Sequence, residues 1–98
     1  MIDRIAKGRR LERMCYDELA AYPYRWKTIR HKWLNIDFWQ LFDVVVGSPT
    51  EIRFIQVKTG YCPTEVKDRI REMKLPSFCR KEVWCWFPKK GFIKEIIE

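Results

Sequence analysis

Two neighbouring stretches, residues 39–47 and 51–59, carry apolar side chains on both strand faces. In the first, Leu41 and Val45 share a face with Asp43, while Phe42, Val44 and Val46 take the other. A strand with one wet face alternates apolar and polar residues. A strand covered on both faces does not, so an α/β sandwich is expected here and a one-sided meander is not. Polar groups interrupt these strands at three points. Asp43 heads the run Val44-Val45-Val46, and Gln56 and Lys58 flank Val57. Strand side chains alternate in direction, so Gln56 and Lys58 emerge on one face. A carboxylate on one strand, with an oxygen ligand and an ammonium on the next, makes a small metal site with a cation beside it. That arrangement suits phosphodiester hydrolysis.

The remaining chain reads as elements that could cover such a sheet. Leu11, Met14, Cys15, Leu19 and Tyr22 follow a helical spacing over residues 7–22, and Pro23 ends the helix. Glu12 falls on the flank of that apolar stripe. Residues 24–30 read as a first strand, residues 31–38 as a loop or irregular strand, and residues 39–47 as a second strand. Gly47-Ser48-Pro49-Thr50 is turn chemistry before the third strand, 51–59. Gly60 breaks that strand. Pro63 or Thr64 opens a charged helix to Lys74, with Val66, Ile70 and Met73 on its buried side. Residues 82–87 and 92–97 are two further strands, joined as a hairpin through Pro88-Lys89-Lys90-Gly91. The predicted order is helix, three strands, helix, two strands.

Ninety-eight residues suffice for one domain, 1–98, with one core, and 47% hydrophobic content makes it globular. Twenty Lys and Arg against 13 Asp and Glu give a net charge of +7. The cations come in groups: Lys7, Arg9, Arg10 and Arg13; Arg25, Lys27, Arg30 and Lys32; Lys67, Arg69, Arg71 and Lys74. Any one group is most simply a solvated face, but together they point to a polyanion, most simply nucleic acid. Trp33 and Trp39 suit either core packing or stacking on unpaired bases, and His31 suits a loop or a DNA contact. The cysteines, Cys15, Cys62, Cys79 and Cys85, form no C-x-x-C pair, so zinc is not expected; Cys15 and Cys85 fall in apolar periodic stretches and read as core thiols. The N-terminus is polar and charged, and no apolar run approaches the ~20 residues of a membrane span. An intracellular protein with reduced thiols and no membrane partner is the expectation.

In order and spacing, these residues resemble the PD-(D/E)XK nuclease superfamily, and most of all its small archaeal Holliday junction resolvases. The helix motif Gly-x-x-x-Glu is matched by Gly8-Arg9-Arg10-Leu11-Glu12, the Asp heading an apolar strand by Asp43, and Glu-x-Lys by Gln56-Val57-Lys58. The resemblance covers nearly the whole chain. It implies a restriction-endonuclease-like fold, a mixed five-stranded sheet flanked by helices in the order α-β-β-β-α-β-β. It also implies a Mg²⁺-dependent endodeoxyribonuclease, with Mn²⁺ as a substitute, cutting branched DNA as resolvases do in recombination. Asp43 would be the carboxylate ligand, joined by the Val57 backbone carbonyl and the Gln56 side-chain oxygen. Glu12 would act through a water, and Lys58 beside the scissile phosphate. Lys7, Arg9, Arg10, Arg13, Arg30, Lys32, Lys67 and Arg71 would meet the DNA backbone.

Gln56 departs from the family, which usually has an acid there; an amide oxygen can ligate a metal but brings no charge. Similar Gln-Val-Lys patterns occur in active relatives, among them the endonuclease subunit of some heteromeric transposases. Two alternatives therefore stand beside the resolvase reading: a DNA-binding or assembly subunit with little cleavage, and a nicking subunit of a larger recombination complex. The plainest readings are that Asp43 caps a strand edge, Lys58 ends a strand, and Glu12 is a surface acid. Against the first two, a charge within an apolar strand is costly unless paired. A junction resolver makes two symmetric nicks, so a homodimer is expected. Its surface is expected to combine the second helix with strand residues around Trp84, Trp86 and Phe92, rimmed by charge pairs such as Glu65 with Arg69.

Overall fold

The computed structural model describes the backbone of residues 4–27, 29–30, 35–36, 38–39 and 41–98, and the side chains of residues 8–27, 38–39 and 41–98. Helix α1 (Arg4–Glu18) is followed by strand β1 (Tyr24–Lys27) and a short pair, β2 (Ile29–Arg30) and β3 (Asn35–Ile36). Then come β4 (Val44–Gly47), β5 (Ile52–Thr59), α2 (Thr64–Glu72), β6 (Cys79–Phe87) and β7 (Gly91–Ile97). The main sheet is five-stranded and mixed, in the order β1-β4-β5-β6-β7. Among the described strands, only β5 and β6 pair in parallel, and α2 is the crossover between them.

The two-sided apolar pattern has a direct structural counterpart. On one face Leu11, Cys15 and Leu19 of α1 pack on Val44, Val46, Ile55, Val57 and Trp84. On the other, Ile70 of α2 joins Leu41, Phe42, Val45, Phe54, Val83 and Ile97. Ile70 is fully buried, and Val66 and Met73 pack partly buried beside it. Burying a side chain of that size contributes about 1.5–3 kcal/mol, which offsets the weak tendency of a nine-residue helix to form alone. Lys81 supports the end of α2 by donating to the carbonyls of Ile70 (3.0 Å), Arg71 (3.2 Å) and Met73 (2.8 Å).

Several boundaries differ from the sequence expectations. α1 stops at Glu18, four residues short of Tyr22, and residues 19–23 turn instead. That turn frees Tyr22 to donate to Glu51 (3.1 Å) and to accept from Arg53 (3.1 Å), contacts a continuing helix would forbid. The strand expected over 24–30 is divided between β1 and β2, which lie in different sheets; Thr28, His31–Leu34, Asp37 and Gln40 fall outside the described residues. β6 starts at Cys79, three residues before the expected 82, because parallel pairing extends it along all of β5.

The largest departure is in the strand expected over 39–47. Among the described residues of that stretch, only Val44–Gly47 is strand. Trp39 has a φ of 58°, and both Leu41 and Phe42 donate their N–H groups to the Phe38 carbonyl, closing a tight loop. Asp43 donates its N–H to Ile55, although Val44 is the residue opposite Ile55. Two residues thus face one, as in a β-bulge. This slip breaks the alternation, so Phe42 lies on the α2 side with Val45 and not with Val44 and Val46.

The turn expectations hold. Ser48 Oγ accepts from the N–H groups of Thr50 and Glu51 between β4 and β5. Gly60 and Gly91 take φ values of +72° and +77°, a region that L side chains rarely adopt, at the end of β5 and at the β6–β7 hairpin. Among the described residues, no helix is long and apolar enough to cross a membrane.

Candidate metal and nucleic-acid site

Asp43 and the segment Gln56-Val57-Lys58 are brought together by the bulge. Val57 Nα donates to Asp43 Oδ2 at 2.9 Å, and the carboxylate is 8% exposed. The bond has a clear local cause. β5 has eight residues and β4 has four, so β5 continues past Val44 with no β4 strand beside it. The Asp43 side chain takes the place of a missing ladder carbonyl. A buried, unpaired N–H would otherwise cost about 1–3 kcal/mol.

The other site residues approach this margin from different directions. Gln56 and Lys58 alternate with Ile55 and Val57 and share the face of Phe54, the side covered by α2. Gln56 is 8% exposed, and its Nε2 makes a long 3.5 Å contact with the Val57 carbonyl. Lys58 is half-buried and its charge reaches Cys62: burial pushes that thiol up, and the ammonium partly opposes the shift. Glu12 comes from the opposite side. It is 5% exposed on α1, beside the core residue Leu11. Asp43 is also among the charges felt by Cys15 on α1, whose thiol is pushed up first by burial and then by nearby carboxylates. The expected set therefore straddles the sheet: Glu12 on the α1 side, Gln56 and Lys58 on the α2 side, and Asp43 at the margin between them.

The donor set is all oxygen: two carboxylates, an amide and a backbone carbonyl. In kind it fits Mg²⁺ or Mn²⁺, which prefer hard oxygen ligands, and not a soft-ligand zinc centre. Among the described residues, no group of three His, Cys, Asp or Glu side chains is placed to hold a metal.

Arg9, Arg10 and Arg13 are exposed along α1, with Arg13 3.3 Å from Asp17. Lys67 and Arg71 of α2 are paired with carboxylates, Lys67 with Glu95 (3.1 Å) and Arg71 with Asp68 (2.6 Å). The backbones of Lys7 and Arg30 lie in α1 and β2, but their side chains, like all of His31, Lys32 and Trp33, fall outside the described residues. The expected dimer patch needs correction. Trp84 is fully buried under α1, and Trp86 and Phe92 pack against the same core, on the opposite side of the sheet from α2.

One polar cluster escaped the sequence reading. Arg53 grips Glu82 through two bonds, Nε to Oε2 (2.5 Å) and Nη2 to Oε1 (2.7 Å). Trp84 Nε1 donates to the same carboxylate at 3.0 Å. Burial raises the Glu82 pKa, but the bonds from Arg53 and Trp84 and the Arg53 charge outweigh it and hold the carboxyl below its usual range. The signal was present, since Arg53 and Glu82 are charges inside apolar strands. Which acid meets which base, however, depends on the β5–β6 register. Comparison with protein-family models, curated proteins and solved structures finds no match.

Proposed function

We propose that this protein is a metal-dependent DNA endonuclease of restriction-endonuclease-like fold, selective for branched DNA in the manner of Holliday junction resolvases. The observation that carries the reading is the Asp43 carboxylate bound at the Val57 amide, between Gln56 and Lys58. Asp43, the Val57 carbonyl and the Gln56 side-chain oxygen would hold Mg²⁺ or Mn²⁺, with Glu12 acting through a water. The bound ion would supply charge neutralisation at the phosphate and an activated water. Lys58 would place its ammonium against the scissile phosphate, and the low exposure of Asp43 and Gln56 would keep bulk water from screening that charge. An intracellular setting belongs to the proposal, and four free thiols support it. Cleavage assays with Mg²⁺ and with Mn²⁺ on four-way junction, flap and duplex DNA test the reading, and a protein inert on all three contradicts it.

A second reading, a DNA-binding or assembly subunit with little cleavage, is favoured by one feature. Gln56 is uncharged and leaves β5 on the face opposite the one under Glu12's helix. Gln56→Glu separates the two. The variant restores the charge usual for the resembled family, so divalent-metal affinity should rise in calorimetric titration, with cleavage raised or preserved. Weaker metal binding in the variant would remove Gln56 from the ligand set.

DNA affinity should fall steeply with salt, because each neutralised phosphate adds roughly −0.9 to the log–log slope. Reversing the charges of Arg9 and Arg10 should flatten that slope by about 2. The same change at Lys67 and Arg71 should flatten it as well. A salt-independent affinity would point to another kind of partner.

A two-fold dimer completes the resolvase reading. With Trp84 excluded, the surface narrows to α2 and the adjoining face of β7, an edge strand on which Ile93 is exposed. Light scattering at micromolar concentration should give twice the chain mass. A monomer unchanged by junction DNA would reject resolution of junctions by a symmetric pair.

A further inference from the structure

We infer that Tyr24, Trp26 and Trp39 form a stacking platform for the unpaired bases of a single DNA strand, separate from the site at Asp43. These side chains are 57%, 51% and 56% exposed, although each is large and aromatic. They share one sheet face. Trp26 is opposite Val45 and Val45 is opposite Phe54, a cross-strand row on the α2 side. Trp39 packs over Phe54 with ring centroids 5.6 Å apart, so it rises from the same row. Helix α2 crosses between β5 and β6 and lies toward β7, at the other end of the sheet from β1.

The geometry suits a flat ligand. Tyr24 and Trp26 are two residues apart on β1, and their rings are 9° from parallel with centroids 6.2 Å apart. Bases stack about 3.4 Å apart, so a base between two rings needs about 6.8 Å. The two-residue strand repeat sets rings at about that spacing before any ligand arrives. Trp39 offers a further face over Phe54 of β5, two strands from β1.

Charge selects the occupant. From residue 19 to residue 36 the chain has no acid, while Arg25, Lys27, Arg30 and Lys32 all lie within it. On β1 the cations alternate with the rings, so Arg25 and Lys27 leave on the opposite face, where Arg25 donates to the Tyr16 carbonyl at 2.9 Å. Rings on one face of an edge strand and cations on the other match a strand of exposed π-faces whose phosphates pass along that edge. A second copy is the poorer fit, because antiparallel pairing of two β1 edges would bring the Arg25 and Lys27 cations of one copy against those of the other. Duplex DNA is also a poorer fit, since its bases are already stacked. The inference rests on the nucleic-acid reading given above and narrows it to substrates with an unpaired stretch, such as flaps and the open centres of branched DNA.

The test is fluorescence anisotropy with a labelled single strand of mixed sequence and with its duplex, at fixed salt. Trp26→Ala, Tyr24→Ala and Trp39→Ala should each weaken single-strand binding at least about fivefold and leave duplex binding within about twofold. Trp26→Phe should restore most of the loss, because it keeps an aromatic face and removes only the second ring of the indole with its N–H. Alanine variants that bind the single strand like the parent overturn the inference, as does loss on both DNAs that phenylalanine does not rescue. A shift of mass in sedimentation caused by Trp26→Ala would assign the platform to a second copy and also overturn it. Binding of duplex and junction but not of single strand overturns this inference alone. Binding of no DNA overturns both it and the nuclease reading, and single-strand binding without cleavage overturns only the nuclease.

Discussion

Asp43→Ala and Lys58→Ala are each expected to lower cleavage about 10²-fold or more while leaving DNA affinity largely intact. Neither side chain belongs to the basic face of α1, so single-turnover rates on junction DNA should fall and mobility-shift affinity should not. The two variants differ in what else they remove. Asp43 is the acceptor for the Val57 amide. Alanine there strands a buried donor and should also cost about 1–3 kcal/mol of stability. Asp43→Asn is the necessary control. It keeps an acceptor oxygen on Val57 and removes only the charge, so it should be as inactive as alanine with a smaller loss of stability. Cutting at the parental rate by both Asp43→Asn and Lys58→Ala would refute the assignment. Inactivity confined to Asp43→Ala would mean that the residue serves the bulge and not the chemistry.

Removing one partner of the buried ion pair should be the most damaging change to the fold. Arg53→Ala leaves the Glu82 carboxylate, 4% exposed, held by the Trp84 indole without its cation, and should cost about 3–5 kcal/mol in urea unfolding. Glu82→Ala should cost less, because Arg53 is 14% exposed, keeps its bond to Tyr22 and can turn toward water. A double change to Met at both positions should be milder than Arg53→Ala, since it removes both charges from the apolar layer. The pair also has a pH signature. The folded Glu82 pKa is depressed, so the stability it adds is complete above the ordinary carboxylate value of about 4.3 and fades as pH falls through the folded value. The double variant should lose that part of the acid sensitivity. An Arg53→Ala loss below about 1 kcal/mol would show that water reaches the pair.

The architecture was legible along the chain wherever a physical rule acts over a few residues. Strands apolar on both faces required cover on both faces, and α1 and α2 supply it. Ser48, Gly60 and Gly91 marked the turns because hydroxyl-to-amide bonds and left-handed backbone are local properties. The spacing of Val66, Ile70 and Met73 placed the buried side of α2 for the same reason.

What stayed hidden depends on which distant residues meet. Nothing in Phe38 to Asp43 shows that β4 begins only at Val44, because the bulge arises from pairing with Ile55, twelve residues beyond Asp43. With that slip, Phe42 changed faces and Asp43 turned to the Val57 amide. Trp84 looked like an interface residue by count of aromatics; its burial follows from lying under α1, more than sixty residues earlier. Arg53 and Glu82 were visible as misplaced charges, but only the parallel register of β5 and β6 joins them. The candidate site divides in the same way. Its residue types could be read from the chain, whereas the side from which each one arrives follows from strand alternation, a bulge and the placement of two helices.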